Sequence, residues 1–197
     1  MKDIEELAKH ALELKQKGMS DKEIATELHL STQTVEWLLS RGFEKKVSAP
    51  KDIKIGWRSI GVYSYRISKI ADIFADIVFE ELQKRNTEAN SVVGIAINGI
   101  PLATLLSDAL NYELIIYRPQ HGNNEGTFSS NFANVAKKNV IIVDDVISTG
   151  ETMAKAIRDI KKNGGNPLLA LVIVNKTTKD EIEGVPVRAL IRARIIE

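Results

Sequence analysis

Three stretches of this chain, residues 92–97, 140–143 and 168–174, are apolar without a polar residue at every second position. A strand with one wet face alternates apolar and polar side chains, so an unbroken run means that both faces are covered. Helical patterns come after these runs at 102–110 and 152–162, and shorter strand patterns stand at 114–117 and 187–191. Strands alternating with helices define an α/β fold, a parallel sheet flanked by helices. At about 150 residues per domain, 197 residues make that domain plus something small.

The small part is N-terminal. Leu7, Ala8, Ala11, Leu12 and Leu14 recur at helical spacing, and Gly18 ends that helix. Ser20 with Glu23 is a capping box opening a second helix, whose inner face is Ile24, Ala25 and Leu28. Ser31 or Thr32 caps a third, with Val35, Leu38 and Leu39 inward and Gly42 as its stop. Residues 43–60 are mixed: Pro50 forbids a helix through it, and Lys45, Lys46, Lys51 and Lys54 make it basic, a linker or an extended arm. A helix is expected at 65–83, with Ile67, Ile70, Ala71, Phe74, Ile77 and Val78 on one side. The division predicted is 1–45, a joining segment 46–61, and 62–197.

Charge is balanced, 27 Lys and Arg against 26 Asp and Glu, so nucleic-acid contact must come from a local face. The chain has no Cys, which excludes disulfides, thiol nucleophiles and zinc fingers. The longest apolar run, 168–174, is too short to cross a bilayer, and the first residues lack an apolar signal core. The expectation is a cytoplasmic protein with no membrane partner.

The most informative string is Val140-Ile-Ile-Val-Asp-Asp-Val-Ile-Ser-Thr-Gly-Glu-Thr152. A buried strand ends in Asp144 and Asp145, a hydroxyl-rich turn comes next, and a helix begins. Ligands of open α/β sheets sit at the carboxyl ends of strands. A helix N-terminus offers N–H groups and partial positive charge to a phosphate. Ser148, Thr149 and Thr152 add hydroxyls, and Gly150 admits close backbone approach. Two carboxylates beside a phosphate repel it unless they hold sugar hydroxyls or a hydrated Mg²⁺, so a phosphorylated sugar satisfies both halves. The plainer alternative is that Asp145 and Ser148 only cap the helix.

This string resembles the phosphoribosyl diphosphate (PRPP) motif of the phosphoribosyltransferase superfamily. The resemblance implies that Asp144 and Asp145 contact the ribose hydroxyls and that the loop from Val146 and Ile147 through Ser148, Thr149, Gly150, Glu151 and Thr152 cradles the 5′-phosphate. Gly94-Ile-Ala-Ile-Asn-Gly-Ile-Pro-Leu-Ala103 is similar to the pyrophosphate loop of the orotate phosphoribosyltransferases. It implies a second anion contact at Asn98 and Gly99, with the cis non-proline peptide those loops often hold. Mg²⁺ would arrive with the ligand near Asp144 and Asp145; no metal-ligating set is assigned to the chain itself. The implied fold is a type I phosphoribosyltransferase-like sheet.

Residues 119–138 show no element, and a structureless segment of that length is usually a functional lid or disordered. Its position matches the catalytic loop of orotate phosphoribosyltransferases, where an Arg, lysines and His-Gly stabilise departing pyrophosphate. Here the string is Arg118-Pro-Gln-His121-Gly122, with no Lys before Lys137. Arg118 and His121 are catalytic candidates only if the chain is an enzyme; otherwise they are a strand-end arginine and a loop histidine. Losing those cations removes several kcal/mol of transition-state stabilisation.

Residues 20–39 resemble a helix-turn-helix, with His29 at the turn position where Gly is commonest. The DNA-facing residues are then Ser31, Thr32, Gln33, Thr34, Glu36, Trp37 and Arg41. Gln33 pairs with adenine, and Thr32 and Thr34 reach a phosphate or a thymine methyl. The alternatives are that Trp37 packs inside the domain and that the three helices are a plain interaction module. Residues 1–46 hold eight Lys and Arg against nine Asp and Glu, so the basic segment up to Lys54 must supply phosphate contacts as a wing or arm.

Both halves together resemble the archaeal GfcR family, a helix-turn-helix joined to an orotate-phosphoribosyltransferase-like domain, including the Trp-containing junction Ile55-Gly-Trp-Arg-Ser-Ile-Gly61. The resemblance implies a homodimeric transcriptional regulator that binds double-stranded DNA and senses PRPP or another phosphorylated sugar. The rivals are an active orotate-type phosphoribosyltransferase and a non-regulatory PRPP-binding module.

Overall fold

The computed structural model describes residues 2–41, 44, 47–120 and 124–195. Gly42, Lys45, Lys46, His121 and Gly122 lie outside the described residues. Two compact units form: residues 1–56 with 193–197, and Trp57–Arg192.

The first unit has three helices, α1 (Lys2–Gln16), α2 (Asp21–Leu28) and α3 (Thr32–Leu39). Its core is Ala11, Leu14, Ile24, Ala25, Leu28, Leu30, Val35 and Leu38, while Leu12 faces water. The capping box forms as the sequence predicts: Glu23 N–H donates to Ser20 Oγ at 3.3 Å, and Ser20 N–H to Glu23 Oε2 at 2.7 Å. α2 closes on His29 in the left-handed region, φ 54°, where a glycine is ordinarily preferred. Among the described residues this unit has no strand, so they form no wing. Residues 47–56 run without helix or strand, yet not freely. Asp52 Oδ2 accepts the Ser31 N–H at 2.6 Å and the Thr34 hydroxyl at 2.8 Å, placing a negative charge at the N-terminus of α3.

The joining segment predicted at 46–61 is thus divided. Residues up to Gly56 belong to the first unit, and Trp57 starts the second with the short helix α4 (Arg58–Gly61). The final strand ends at Arg192, and the residues from Ala193 on group with the first unit.

In the second unit α5 (Ser64–Arg85) precedes β1 (Ser91–Ile95), α6 (Gly99–Leu110), β2 (Glu113–Arg118), β3 (Thr127–Phe128), β4 (Asn139–Ile147), α7 (Glu151–Lys162), β5 (Asn166–Asn175), β6 (Glu181–Ile182) and β7 (Val185–Arg192). The sheet order is β3-β2-β1-β4-β5-β7-β6; the five central strands are parallel, and the two-residue edges are antiparallel. All five residues of β1 are buried, as are Val140 to Val143 of β4, so the unalternated runs are covered on both faces as expected. α7 packs Met153, Ala156, Ile157 and Ile160 against Val93, Ile95, Val140, Ile142 and Val172. No helix among the described residues is long and apolar enough to cross a membrane.

The described residues of 119–138 carry more structure than their sequence pattern indicates. β3 pairs with β2, Tyr117 opposite Phe128 and Arg118 opposite Thr127. Asp159, buried on α7, accepts the Tyr117 hydroxyl at 2.6 Å and the Gly126 N–H at 2.8 Å through one oxygen. Burial, and then this hydrogen bond, push the Tyr117 phenol well above its ordinary pKa. Glu125 adds contacts to Lys162 at 2.5 Å and Asn163 at 2.8 Å. A two-residue strand carries no readable periodicity, which is why this anchoring is invisible in the pattern.

Ser31 is the N-cap of α3, its Oγ accepting the Thr34 N–H at 3.2 Å, and Asp52→Ala is expected to remove the carboxylate that braces this cap and to lower the stability of the first unit by about 1–2 kcal/mol. Thermal denaturation and amide exchange over residues 31–56 check this. Unchanged protection there would show that the carboxylate braces nothing.

Candidate functional site

The strand order reverses between β1 and β4: β1 leads through α6 to β2 on one side, and β4 through α7 to β5 on the other. Two diverging connections leave a crevice at the carboxyl ends of these two strands. Asn98, Gly99, Asp144 and Asp145 meet there. A Cβ at Gly99 would stand 2.5 Å from the Val143 carbonyl oxygen and 3.2 Å from Asp144 Cα, so only glycine lets the start of α6 lie on the end of β4. The peptide joining Ala96 to Ile97 just before it is cis.

Asp145 is only 4% exposed. Its Oδ2 accepts the Trp57 indole N–H at 2.7 Å and the Asn98 side-chain amide at 3.1 Å, and its Oδ1 accepts the Val146 N–H at 2.8 Å. A buried carboxylate is tolerated when donors surround it in this way. Asp144 is half-buried and takes the Asp145 N–H at 2.9 Å. Burial and then the neighbouring Asp145 charge hold the Asp144 carboxyl well above the usual aspartate range.

The turn Ser148–Gly150 leads into α7. Gly150 is its N-cap at φ 89° and has no side chain with which to cap the helix. The N-cap position thus falls on Gly150 and not on Asp145 or Ser148. Thr149 Oγ1 accepts the Glu151 N–H at 3.3 Å; Thr149 and Glu151 are exposed, and Ser148 and Thr152 half-buried. Thr149, Gly150 and Glu151 also border an open depression of about 430 Å³ with Lys179, Glu181 and Ile182.

Two predicted contacts need correction. Ile147 is a core side chain, 3% exposed, so it presents no side chain to a ligand. Thr34 is buried and bound to Asp52 and Ser31 rather than turned outward, because the first turn of α3 folds back onto the arm. Of the other residues assigned to DNA, Gln33, Glu36 and Arg41 are exposed and Ser31, Thr32 and Trp37 half-buried. Trp37 packs against the helical core and donates its indole N–H to the Val47 carbonyl at 3.0 Å. Arg41 pairs with Glu44 at 3.3 Å. Val146 lies half-buried in the ladder beside Val174, and Arg118 is exposed at the end of β2. His121 lies outside the described residues. Trp57, which holds Asp145, was legible only as part of the junction string.

An α/β sheet of this topology, with a diacid strand end and a glycine-capped helix, defines a phosphoribosyltransferase-type domain. Residues 64–188 match the phosphoribosyl transferase domain family. The fold is shared with an orotate phosphoribosyltransferase from Aeropyrum pernix, at TM-score 0.55 and 24% identity over 75% of this chain and 82% of that one. It is also shared with the Mycobacterium tuberculosis enzyme in complex with PRPP, at TM-score 0.57 and 17% identity over 70% and 80%. Along the whole chain the similarity is to transcriptional regulators. GfcR of Thermoplasma acidophilum is 57% identical over 100% of this chain and 98% of its own, and GfcR 2 of Methanosarcina acetivorans 42% identical over 98% of each. The chain belongs to the GfcR family of transcriptional regulators.

Because the folded value of Asp144 is raised, the folded state favours its neutral form. That advantage is present below the ordinary value of 3.8 and is lost as pH rises through the folded value. Asp144→Asn is expected to raise the melting temperature of the ligand-free protein at pH 7 and to change it little below pH 3.8. A lower melting temperature at pH 7 would contradict the assignment.

Proposed function

We propose that this regulator binds double-stranded DNA through α2 and α3 as a helix-turn-helix and senses PRPP or another phosphorylated sugar at the crevice between β1 and β4. The carrying observation is the start of α7, where the N-cap is a glycine and which comes directly after the two aspartates and their turn. Phosphate suits the helix end, and sugar hydroxyls suit the acids. Among the described residues no three metal-ligating side chains converge, so Mg²⁺ fits here only as an ion held largely by ligand oxygens near Asp144 and Asp145.

Sensing rather than transfer is supported by the segment after β2. Between Arg118 and Asn124 the sequence supplies no lysine to stabilise a departing pyrophosphate. The regulator acts in the cytoplasm as a homodimer, so that two copies of α3 read a pseudo-palindrome. The stripe of Tyr65, Ile73 and Phe79 on α5, exposed at 72, 48 and 62%, is an apolar surface suited to a second copy.

Thermal shift with PRPP and ribose 5-phosphate, with and without Mg²⁺, is expected to show stabilisation, about 2.7 kcal/mol at a hundredfold excess over Kd. An assay with PRPP, Mg²⁺, orotate and purine bases is expected to yield no nucleotide. Robust nucleotide formation would replace sensing by catalysis.

On DNA selected by the wild-type chain, Gln33→Ala is expected to weaken binding about tenfold or more while leaving PRPP affinity unchanged. Titration should give two chains per site. Unchanged DNA affinity would remove α3 as the reading element.

A further inference from the structure

Trp57 is the residue at which the second unit begins, directly after Gly56. Its indole N–H reaches into the crevice to Asp145, and its ring lies on α4, where a Cβ at Gly61 would stand 2.7 Å from Cζ3 and 3.1 Å from Cε3. One carboxylate oxygen, Asp145 Oδ2, takes both the indole and the Asn98 amide. An oxygen of this kind has room for about two donors. A sugar hydroxyl that engages Oδ2 must therefore displace one of them.

The two donors are not equally held. Asn98 stands between β1 and the twelve-residue α6, whereas Trp57 rides on the four-residue α4. The indole is the donor that can leave with the smaller rearrangement. Four residues before it in the chain is Ile53, preceded by Asp52, whose carboxylate binds Ser31 and Thr34 at the start of α3. The residue that holds the ligand-facing acid and the residue that braces the N-cap of α3 are thus five apart in sequence.

Resting on the proposed ligand site, we infer that Trp57 is a positioning residue that reports occupancy. A sugar hydroxyl on Asp145 Oδ2 releases the indole, and the freed junction alters how Asp52 holds α3. A ligand shifts such an equilibrium only through differential affinity, and here the difference is the Trp57–Asp145 bond that exists in one state and not the other.

The test uses the full chain with PRPP and Mg²⁺ as probe. Calorimetry measures affinity, and hydrogen exchange with mass spectrometry tracks residues 47–61. Trp57→Phe keeps an aromatic side chain and removes the donor, so it is expected to bind PRPP about tenfold more tightly, since no charged hydrogen bond must be broken. A merely structural tryptophan would give weaker binding instead. In the wild type PRPP is expected to speed exchange over 47–56; in Trp57→Phe that exchange is already fast, and PRPP adds nothing. Gly61→Ala pushes the ring from α4 without touching a ligand-facing group and is expected to act in the same direction; it serves alone if Trp57→Phe does not fold. Equal or weaker PRPP affinity in the variants, or a PRPP-dependent exchange change that persists in them, overturns the inference and leaves the sensing reading intact. A wild type that takes up no PRPP removes that reading first, and this inference with it.

Discussion

The structure is organised around one buried carboxylate. Taking Asp145 out of water costs several kcal/mol unless donors replace the solvent, and the like charge of Asp144 beside it adds to that cost. Trp57, Asn98 and the Val146 N–H offset it. In doing so they bring together three segments far apart in sequence: the entry to the second unit, the turn after β1 and the end of β4. The crevice has its form because each of these must deliver a donor to the same two oxygens.

The chain topology supplies the rest. β1 and β4 are neighbours whose connections diverge, so the starts of α6 and α7 both lie at one end of the sheet. Two helix N-termini thus stand near a pair of acids, partial positive charge beside negative. What a transferase additionally needs is mobile positive charge at the leaving group, and the sequence after Arg118 lacks it. The regulators of this family are built on that same domain.

Much of this was legible in the sequence, for a physical reason. Unalternated apolar runs report burial on both faces, and the diacid, hydroxyl turn and glycine report a strand end passing into a helix. The capping box of Ser20 and Glu23 reports its own local geometry. What escaped were contacts between distant residues. Asp52 on α3, Trp57 on Asp145 and Asp159 under the β2–β3 loop each join positions 18 to 88 residues apart. Thr34 and Ile147 were misread for the same reason. Thr34 looks outward from its helix until the arm returns over it, and Ile147 belongs to the sheet although it adjoins the ligand turn. Asp159 could have been suspected, since an acid on the apolar stripe of Met153, Ala156, Ile157 and Ile160 demands a partner.

That last residue has an evolutionary corollary. One oxygen of Asp159 serves the phenol of Tyr117 and the backbone of Gly126, and any side chain at 126 would collide with the Tyr117 ring. A phenylalanine at 117 would strand half of that acid's bonding, and an alanine at 126 would evict the ring. These three positions, the outer two 42 residues apart, can drift only as a set. A descendant that rebuilt its loop would have to cross an intermediate less stable than either end.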